Sequence, residues 1–304
     1  MLSIGVIGLG NIAQKAYLPV YAEMQDQVQW YLDTRDLAKL TRLTNQYHLP
    51  MAGTDVKDLD GLKLDAVMIH AATPAHFELA KHFLTRDVNV FIDKPLATTT
   101  AQVTELYLLA AQHRKLLTVG FNRRFAPLMQ QLQAVPNKNV IEVVKNRVAD
   151  RQVPAEAIFD LLIHPLDTAL MLAGFPTDIK PHYSMHADQD GNLQQATISF
   201  GVNGMRVEAG INLVAGANLE EATVSATAGV YRVQDLAQLT AYTQAGQTST
   251  KAPDWEPTLT TRGFAPLVKA FVKAVAEQTD NPIAPESSRL THRVLAEMAD
   301  QLQA

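Results

Sequence analysis

Four residues in this chain, Lys94, Asp160, His164 and Asp167, are of the types that carry proton and charge transfer. Lys94 ends the apolar run Val88–Ile92 within Asp93-Lys94-Pro95, where a buried strand has no use for a carboxylate, an ammonium and an imino acid. A lysine at a strand exit beside a bound redox cofactor holds a substrate hydroxyl and stabilises a developing alkoxide. Asp160, His164 and Asp167 follow in Ile158-Phe-Asp-Leu-Leu-Ile-His-Pro-Leu-Asp167, at spacings of four and three that place them along one face of a helix. Histidine suits general-base work near neutral pH, and a nearby carboxylate favours the imidazolium it becomes. Spacing alone also fits plain stabilisation of a surface helix.

A second group of residues fits a dinucleotide. Gly8-Leu9-Gly10-Asn11-Ile12-Ala13 is a G-x-G-x-x-A pattern after the apolar run Leu2–Ile7 and before the helical pattern Gln14–Met24. Gly8 permits a tight turn, Gly10 lets backbone approach a pyrophosphate, Ala13 permits close helix–strand packing, and Asn11 and Ile12 lie between them at the helix N-terminus. The next strand ends at Asp33, 20 residues after Ala13 (33 − 13), where a carboxylate accepts hydrogen bonds from an adenosine ribose. A carboxylate about 4 Å from a 2′-phosphate meets repulsion of about 4 kcal/mol at an effective dielectric of 20, which favours NAD(H). Thr34 and Arg35 follow, and a guanidinium there either neutralises a phosphate or stacks on adenine, so NADP(H) stays open. In His70-Ala71-Ala72-Thr73-Pro74-Ala75-His76, the small Ala72 and Thr73 permit close cofactor approach and Pro74 suits a first helical turn. His76 reads as a cofactor neighbour or as a helix-start residue with its side chain in solvent.

These residues need strands to carry them. Val28–Leu32, Asp65–Ala71, Val88–Ile92 and Leu116–Val119 read as strands, with helices at His76–Arg86 and Thr100–His113. Alternation of this kind implies parallel strands with right-handed crossovers, a doubly wound α/β domain over residues 1–121 with ligands at the carboxyl ends of its strands. From Asn122 the rhythm changes. A helix at Phe125–Leu132 is followed by strands at Val140–Val148, Thr197–Val202, Met205–Leu213 and Ala222–Ala228, with turns at Asp190-Gly191 and Asn203-Gly204. Two helices, near 263–278 and 286–303, complete an α+β domain over 122–304 with a mainly antiparallel sheet.

Composition bounds the rest. The 304 residues are 47% hydrophobic and 19% charged, the balance of a globular protein of two domains. A net charge of −5 without a basic block argues against nucleic acid. The absence of cysteine excludes disulfides and thiolate chemistry, and no spacing resembles a metal site. No apolar run reaches the roughly 18 residues of a membrane span, and the first strand begins directly after Met1, so a cytoplasmic location is expected.

Taken together, Gly8–Ala13, Thr73-Pro74, Asp93-Lys94-Pro95-Leu96-Ala97, Gly120-Phe121-Asn122-Arg123-Arg124-Phe125, and Asp160 with His164 make the chain resemble the glucose-fructose oxidoreductase, inositol dehydrogenase and rhizopine-catabolism (Gfo/Idh/MocA) family. NIAQKAYLP and GFNRRFAP are most similar to its MviM-like branch. The resemblance implies a Rossmann domain, a second domain with a large open-faced sheet, and NAD(P)-dependent oxidation or reduction of a sugar, cyclic polyol or sugar derivative. It further implies that Lys94 and His164 act on the substrate with Asp160 supporting them, that the Lys94–Pro95 bond is cis, and that the chain forms a homodimer or homotetramer. On this reading His164 accepts the hydroxyl proton while Lys94 and Asp160 position the oxygen. Of the two arginines, Arg123 is expected to bind substrate oxygen and Arg124 to face solvent. A cofactor-binding regulator without turnover and a glycosidase working by transient oxidation are the alternatives.

Three features depart from the family pattern. Asp93 stands where glutamate is usual, and Ala155-Glu156-Ala157 replaces a glycine-rich lead-in before Asp160. Pro165 removes the hydrogen bond to the Leu161 carbonyl, so the helix is expected to kink at His164 or begin later.

Overall fold

The computed structural model describes residues 1–301. The chain forms two compact units: Met1–Gly120 with Phe264–Arg289, and Phe121–Gly263 with the residues from Leu290 onward.

The first unit is built on six parallel strands: β1 (Leu2–Ile7), β2 (Val28–Asp33), β3 (Met51–Gly53), β4 (Ala66–Ile69), β5 (Asn89–Ile92) and β6 (Leu117–Val119). Their order is β3-β2-β1-β4-β5-β6, so the chain reverses direction across the sheet between β1 and β4. That reversal splays the loops after β1 and β4 apart and opens a crevice at the strand ends. The strands are apolar runs because helices cover both faces; Ile4, Val6, Leu32, Val67, Met68, Ile69, Val90, Phe91 and Ile92 have no solvent exposure. Register places Ile7 beside Asp33 and Ile69, so three strand exits align. The short edge strand β3 lay in a stretch without a strand signal and forms through pairing with β2.

The helix Phe264–Glu277 belongs to this unit. Its apolar residues Leu267, Val268, Phe271, Val272 and Val275 recur at helical spacing and are buried. Phe271 meets Phe91 edge-on at 5.5 Å, and Phe264 meets Tyr17 edge-on at 5.4 Å. Asn281 then caps the β6 edge, accepting from Thr118 Oγ1 at 2.9 Å and donating to the Leu117 carbonyl at 2.8 Å. This occupies an edge that would otherwise offer unpaired backbone.

The second unit holds an eight-stranded sheet. Its strands are β7 (Lys138–Asn146), β8 (His182–Ala187), β9 (Leu193–Val202), β10 (Met205–Asn212), β11 (Leu219–Ala226), β12 (Gly229–Gln234), β13 (Gln238–Thr243) and β14 (Gly246–Lys251), in the order β14-β13-β12-β11-β7-β10-β9-β8. Only β7 and β10 pair in parallel. Ile141, Val143, Val207, Ala209, Ala222 and Val224 alternate onto one face, buried against the helix Ile163–Leu172. The opposite face carries ion pairs such as Arg206–Glu142 at 2.6 Å and Arg232–Glu221 at 3.7 Å. Strands β8 and β12–β14 were not expected. They bury little beyond Val233 and Thr240, and they are extended through pairing with neighbours rather than by a sustained apolar alternation of their own.

Replacing Phe271 by Ala removes a fully buried ring and should lower unfolding stability by about 3–5 kcal/mol in urea titration. A loss under about 1 kcal/mol would mean that this helix does not complete the first unit's core.

Candidate functional site

The first unit supplies a cradle. Gly8 follows β1 with φ +87°, and a Cβ there would lie 2.7 Å from the Ala71 backbone nitrogen, so no side chain fits. Gly10 is different: a Cβ there would meet nothing within 4 Å, which leaves backbone accessible from outside. Ala13 is buried at the start of the following helical turn, as its packing role requires. Gly8, Gly10, Asp33, Thr34, Arg35 and Ala72 line one cleft of ≈ 520 Å³. Asn11 and Ile12 are exposed on the adjoining turn, and Thr73 opens the helix Thr73–Leu84.

Asp33 is the informative member. It is 4% exposed, and its Oδ2 makes no hydrogen bond. Burial, followed by the charges of Asp58 and Asp55, pushes its carboxyl up to about 6. A buried carboxylate oxygen without a donor is costly, and a ligand with hydroxyl donors would relieve that cost. His70 behaves similarly: burial, with His76 nearby, brings it down to about 3, so the ring is neutral. Its Nε2 lies 2.7 Å from the Tyr21 hydroxyl, its Nδ1 has no partner, and Tyr17 stacks on it at 4.0 Å. Open backbone at Gly10 and an orphaned carboxylate oxygen at Asp33 fit a dinucleotide.

Lys94 follows β5 through Asp93, which is buried and accepts from the Lys94 backbone N–H at 2.8 Å. The Lys94–Pro95 bond is cis. His76 is 1% exposed, which corrects the solvent placement considered for it. Its Nδ1 lies 2.7 Å from the Pro95 carbonyl and its Nε2 2.9 Å from the Ala71 carbonyl, so the ring ties the loop after β5 to the loop after β4. Gly120 closes this region, since a Cβ there would lie 3.0 Å from the Tyr17 hydroxyl and 3.1 Å from Asp93 Oδ1.

The second unit supplies a charged cluster. Asn122–Phe125 forms a 3-10 turn that presents Arg123. Gly263 makes this turn feasible, because its φ is +81° and a Cβ there would overlap the Asn122 carbonyl; Asn122 Nδ2 in turn donates to the Arg262 carbonyl at 2.7 Å. Arg123 is buried and forks onto Glu220, with Nε to Oε1 and Nη2 to Oε2 at 2.7 Å. Glu220 is the register partner of Lys145 across β11 and β7, and Lys145 Nζ lies 3.9 Å from Oε2. Burial, the largest single influence, would raise the Glu220 pKa; Arg123, Lys145 and Arg262 together outweigh it and bring the carboxyl down to about 2.

Arg123 also reaches His164. Its Nη1 lies 2.8 Å from His164 Nδ1 and 3.3 Å from Asn122 Oδ1. His164 is half-buried in the first turn of the helix Ile163–Leu172, directly after a π-helical turn at Ile158–Leu162. The helical path therefore continues past Pro165 by widening its preceding turn, which takes up the lost hydrogen bond and the ring's bulk. Asp160, Asp167 and His164 do not share one environment. Asp160 is exposed on the π turn, whereas Asp167 is buried.

Arg124 overturns the expectation of a solvent-facing arginine. It grips Asp167 through Nε at 2.9 Å and Nη2 at 2.5 Å, sandwiched between the rings of Phe121 at 4.6 Å and Phe175 at 4.3 Å. Thr291 donates to Asp167 as well, at 2.8 Å. Glu220 was missed by the sequence reading. Its one visible signal is an acid at an inward position of an alternating strand, Glu220-Glu-Ala-Thr-Val224.

Residues 2–121 match the model of an oxidoreductase family described as having an NAD-binding Rossmann fold, Gfo/Idh/MocA. YceM of Salmonella typhimurium is 32% identical over 305 residues, covering 97% of this chain and 96% of that protein. The crystal structure of a Gfo/Idh/MocA family oxidoreductase from Vibrio cholerae is 32% identical, covers 100% of this chain and 98% of its own, and superposes with a TM-score of 0.91. D-glucoside 3-dehydrogenase of Escherichia coli is 28% identical over 218 residues, 66% of this chain and 61% of that protein.

The raised pKa of Asp33 has a defined sign. Between 3.8 and about 6 the unfolded chain loses this proton while the folded chain keeps it, so stability falls across that window and the penalty is complete above it. Asp33→Asn should raise the thermal midpoint at pH 7.5 and leave it unchanged at pH 4, while weakening cofactor binding. An equal shift at both pH values would contradict burial as the cause.

Proposed function

The chain belongs to the Gfo/Idh/MocA oxidoreductase family, and on that premise we propose that it moves a hydride between a nicotinamide dinucleotide, NAD(H) in preference to NADP(H), and a CH–OH carbon of a sugar, cyclic polyol or sugar derivative. The observation that carries the cofactor half is the buried, unpartnered Oδ2 of Asp33 at the cleft beyond β1 and β2. Asp33 and Asp55 both line that cleft and Asp58 adds to the local negative charge, which opposes a 2′-phosphate more than a ribose hydroxyl. Arg35 and Lys39 also line the cleft and temper the preference. The carbohydrate half rests on kinship: the E. coli relative is a D-glucoside dehydrogenase.

The nicotinamide, when bound, supplies the hydride acceptor or donor. The chain's own residues hold the dinucleotide and handle the substrate oxygen. Gly8, Gly10, Asn11 and Ile12 receive the pyrophosphate on backbone; Asp33, Thr34 and Arg35 take the adenosine end; Ala72, Thr73, His76 and Asp93 shape the loops beside the nicotinamide. Lys94, Asp160 and His164 are the proposed catalytic set acting on the substrate oxygen, where a cation and a neutral donor stabilise charge developing in the transition state. Arg123, proposed from sequence as a substrate contact, has three of its nitrogens engaged by Glu220 and His164, which supports a role through His164. The polar outer face of the eight-stranded sheet is the proposed homodimer surface, and it serves a dimer or a tetramer equally.

A panel of sugars, glycosides and polyols, followed at the reduced-nicotinamide absorbance, tests the reading. At least one member should turn over, with a lower KM for NAD than for NADP, and Lys94→Ala should reduce kcat by about 10²–10³-fold with little change in cofactor affinity. Undiminished turnover in Lys94→Ala would remove the lysine from the mechanism. A mass of about 33 kDa in solution would remove the dimer.

A further inference from the structure

Arginine can only donate hydrogen bonds, and that fixes what His164 can be. The Arg123 guanidinium carries five N–H donors and no lone pair. Its Nη1 lies 2.8 Å from His164 Nδ1, so this contact is a hydrogen bond only when Nδ1 offers its lone pair. A neutral imidazole whose Nδ1 accepts carries its proton on Nε2. An imidazolium would set an Nδ1–H against an arginine N–H and place two positive charges side by side.

The surroundings keep Arg123 in this position. Glu220 binds its Nε and Nη2, remains ionised with a pKa of about 2, and is itself held by backbone: its N–H donates to Asp235 Oδ1 at 2.9 Å, and its carbonyl accepts from the Asp235 N–H at 2.7 Å. With Nε and Nη2 committed to one carboxylate, Nη1 has a fixed direction, and its near partners are His164 Nδ1 and Asn122 Oδ1. Turning the imidazole over would present carbon to this donor and forfeit the bond.

We infer that Arg123 is a positioning residue that holds His164 as the Nε2–H tautomer, so that His164 meets the substrate oxygen as a neutral hydrogen-bond donor and not as a proton acceptor. This rests on the oxidoreductase reading above, and revises the general-base role that the family resemblance implies for His164. A neutral imidazole donating to an oxyanion is established chemistry for polarising a carbonyl. The proton balance then falls to Lys94. In reduction, hydride adds to the carbonyl carbon, the C=O π pair moves to oxygen, and that oxygen takes a proton from the Lys94 ammonium. In oxidation, the C–H electron pair leaves as hydride and the hydroxyl proton returns to the Lys94 amine. His164 keeps its Nε2 proton in both directions.

Two measurements decide this separately. Nitrogen-15 NMR of histidine-labelled full-length protein at pH 7.5, with the His164 signal identified by its loss in His164→Gln, should show a neutral ring protonated at Nε2. The doubly substituted Arg123→Leu, Glu220→Leu chain, which removes one charge of each sign, should lose that preference. An Nδ1–H or doubly protonated ring in the unaltered protein, or an unchanged tautomer in the double variant, would overturn the inference whether or not a substrate is known. In the kinetic arm, glutamine supplies an N–H donor but cannot act as a base near neutral pH. His164→Gln should therefore stay within about 10-fold of the parent kcat, while His164→Ala falls by about 10²–10³-fold, the usual cost of losing one oxyanion donor. Equal loss in both would return His164 to the role of base.

Discussion

A guanidinium cannot be taken out of water without a carboxylate to receive it, and in the second unit that constraint is met by Arg123 on Glu220, as it is by Arg124 on Asp167. Both side chains of the Arg123–Glu220 pair are nearly inaccessible, so neither could be buried alone without a penalty of several kcal/mol. The pair fastens the 3-10 turn at Asn122–Phe125 to β11, and through the Glu220–Lys145 register it reaches the central strand β7. Gly263 allows the backbone to pass against this turn, and Arg124 with Asp167 pins the next residue to the helix Ile163–Leu172. The direction in which Arg123 Nη1 meets His164 Nδ1 follows from an ion pair made by the other nitrogens of the same guanidinium.

The first unit solves the opposite problem. There a carboxylate is buried without a full set of partners, and the structure leaves it so. Asp33 sits at the end of β2 because the parallel register aligns that exit with Gly8 and His70. The cost appears as a pKa near 6 and an oxygen without a donor. A protein selected only for stability would place asparagine or an apolar residue here. Retention of the acid is intelligible if a ligand supplies the missing donors, which is the same logic that leaves Gly10 without a neighbour.

Much of this was legible in the residue order. The glycine turn, the acid 20 residues beyond it and the lysine before a proline each break the local rule of the element that carries them, and such breaks mark a site. The parallel sheet was legible because its strands are apolar on both faces. Strands β12–β14 were not, since each of β12 and β13 buries a single residue, Val233 and Thr240, β14 buries none, and all three owe their extension to pairing. The two arginines were the hardest to read. Adjacent in sequence and identical in type, they were expected to differ in exposure, yet neither side chain faces solvent: Arg123 is buried and Arg124 is half-buried with its side chain 8% exposed. They differ instead in which carboxylate, distant in the chain, closes on each: Glu220 for one and Asp167 for the other. No local pattern encodes partners 97 and 43 residues away.

The prolines show how a local conflict can be turned to positional use. Pro165 would press its ring against the carbonyl of Leu161 in a regular helix, and Pro19 would do the same to Lys15. In both places the five residues ahead of the affected turn, Ile158–Leu162 and Ala13–Tyr17, adopt π-helical spacing, which moves the carbonyl aside without ending the helix. The same widening has a different consequence in each unit. In the first it lets the helix after the glycine turn bury Tyr17 and Tyr21 as a stack around His70. In the second it separates Asp160, exposed on the wide turn, from His164, half-buried in the regular turn that follows. A straight helix would have given the aspartate and the histidine one environment. With the wide turn between them, the aspartate is exposed while the half-buried imidazole lies 2.8 Å from the Arg123 guanidinium.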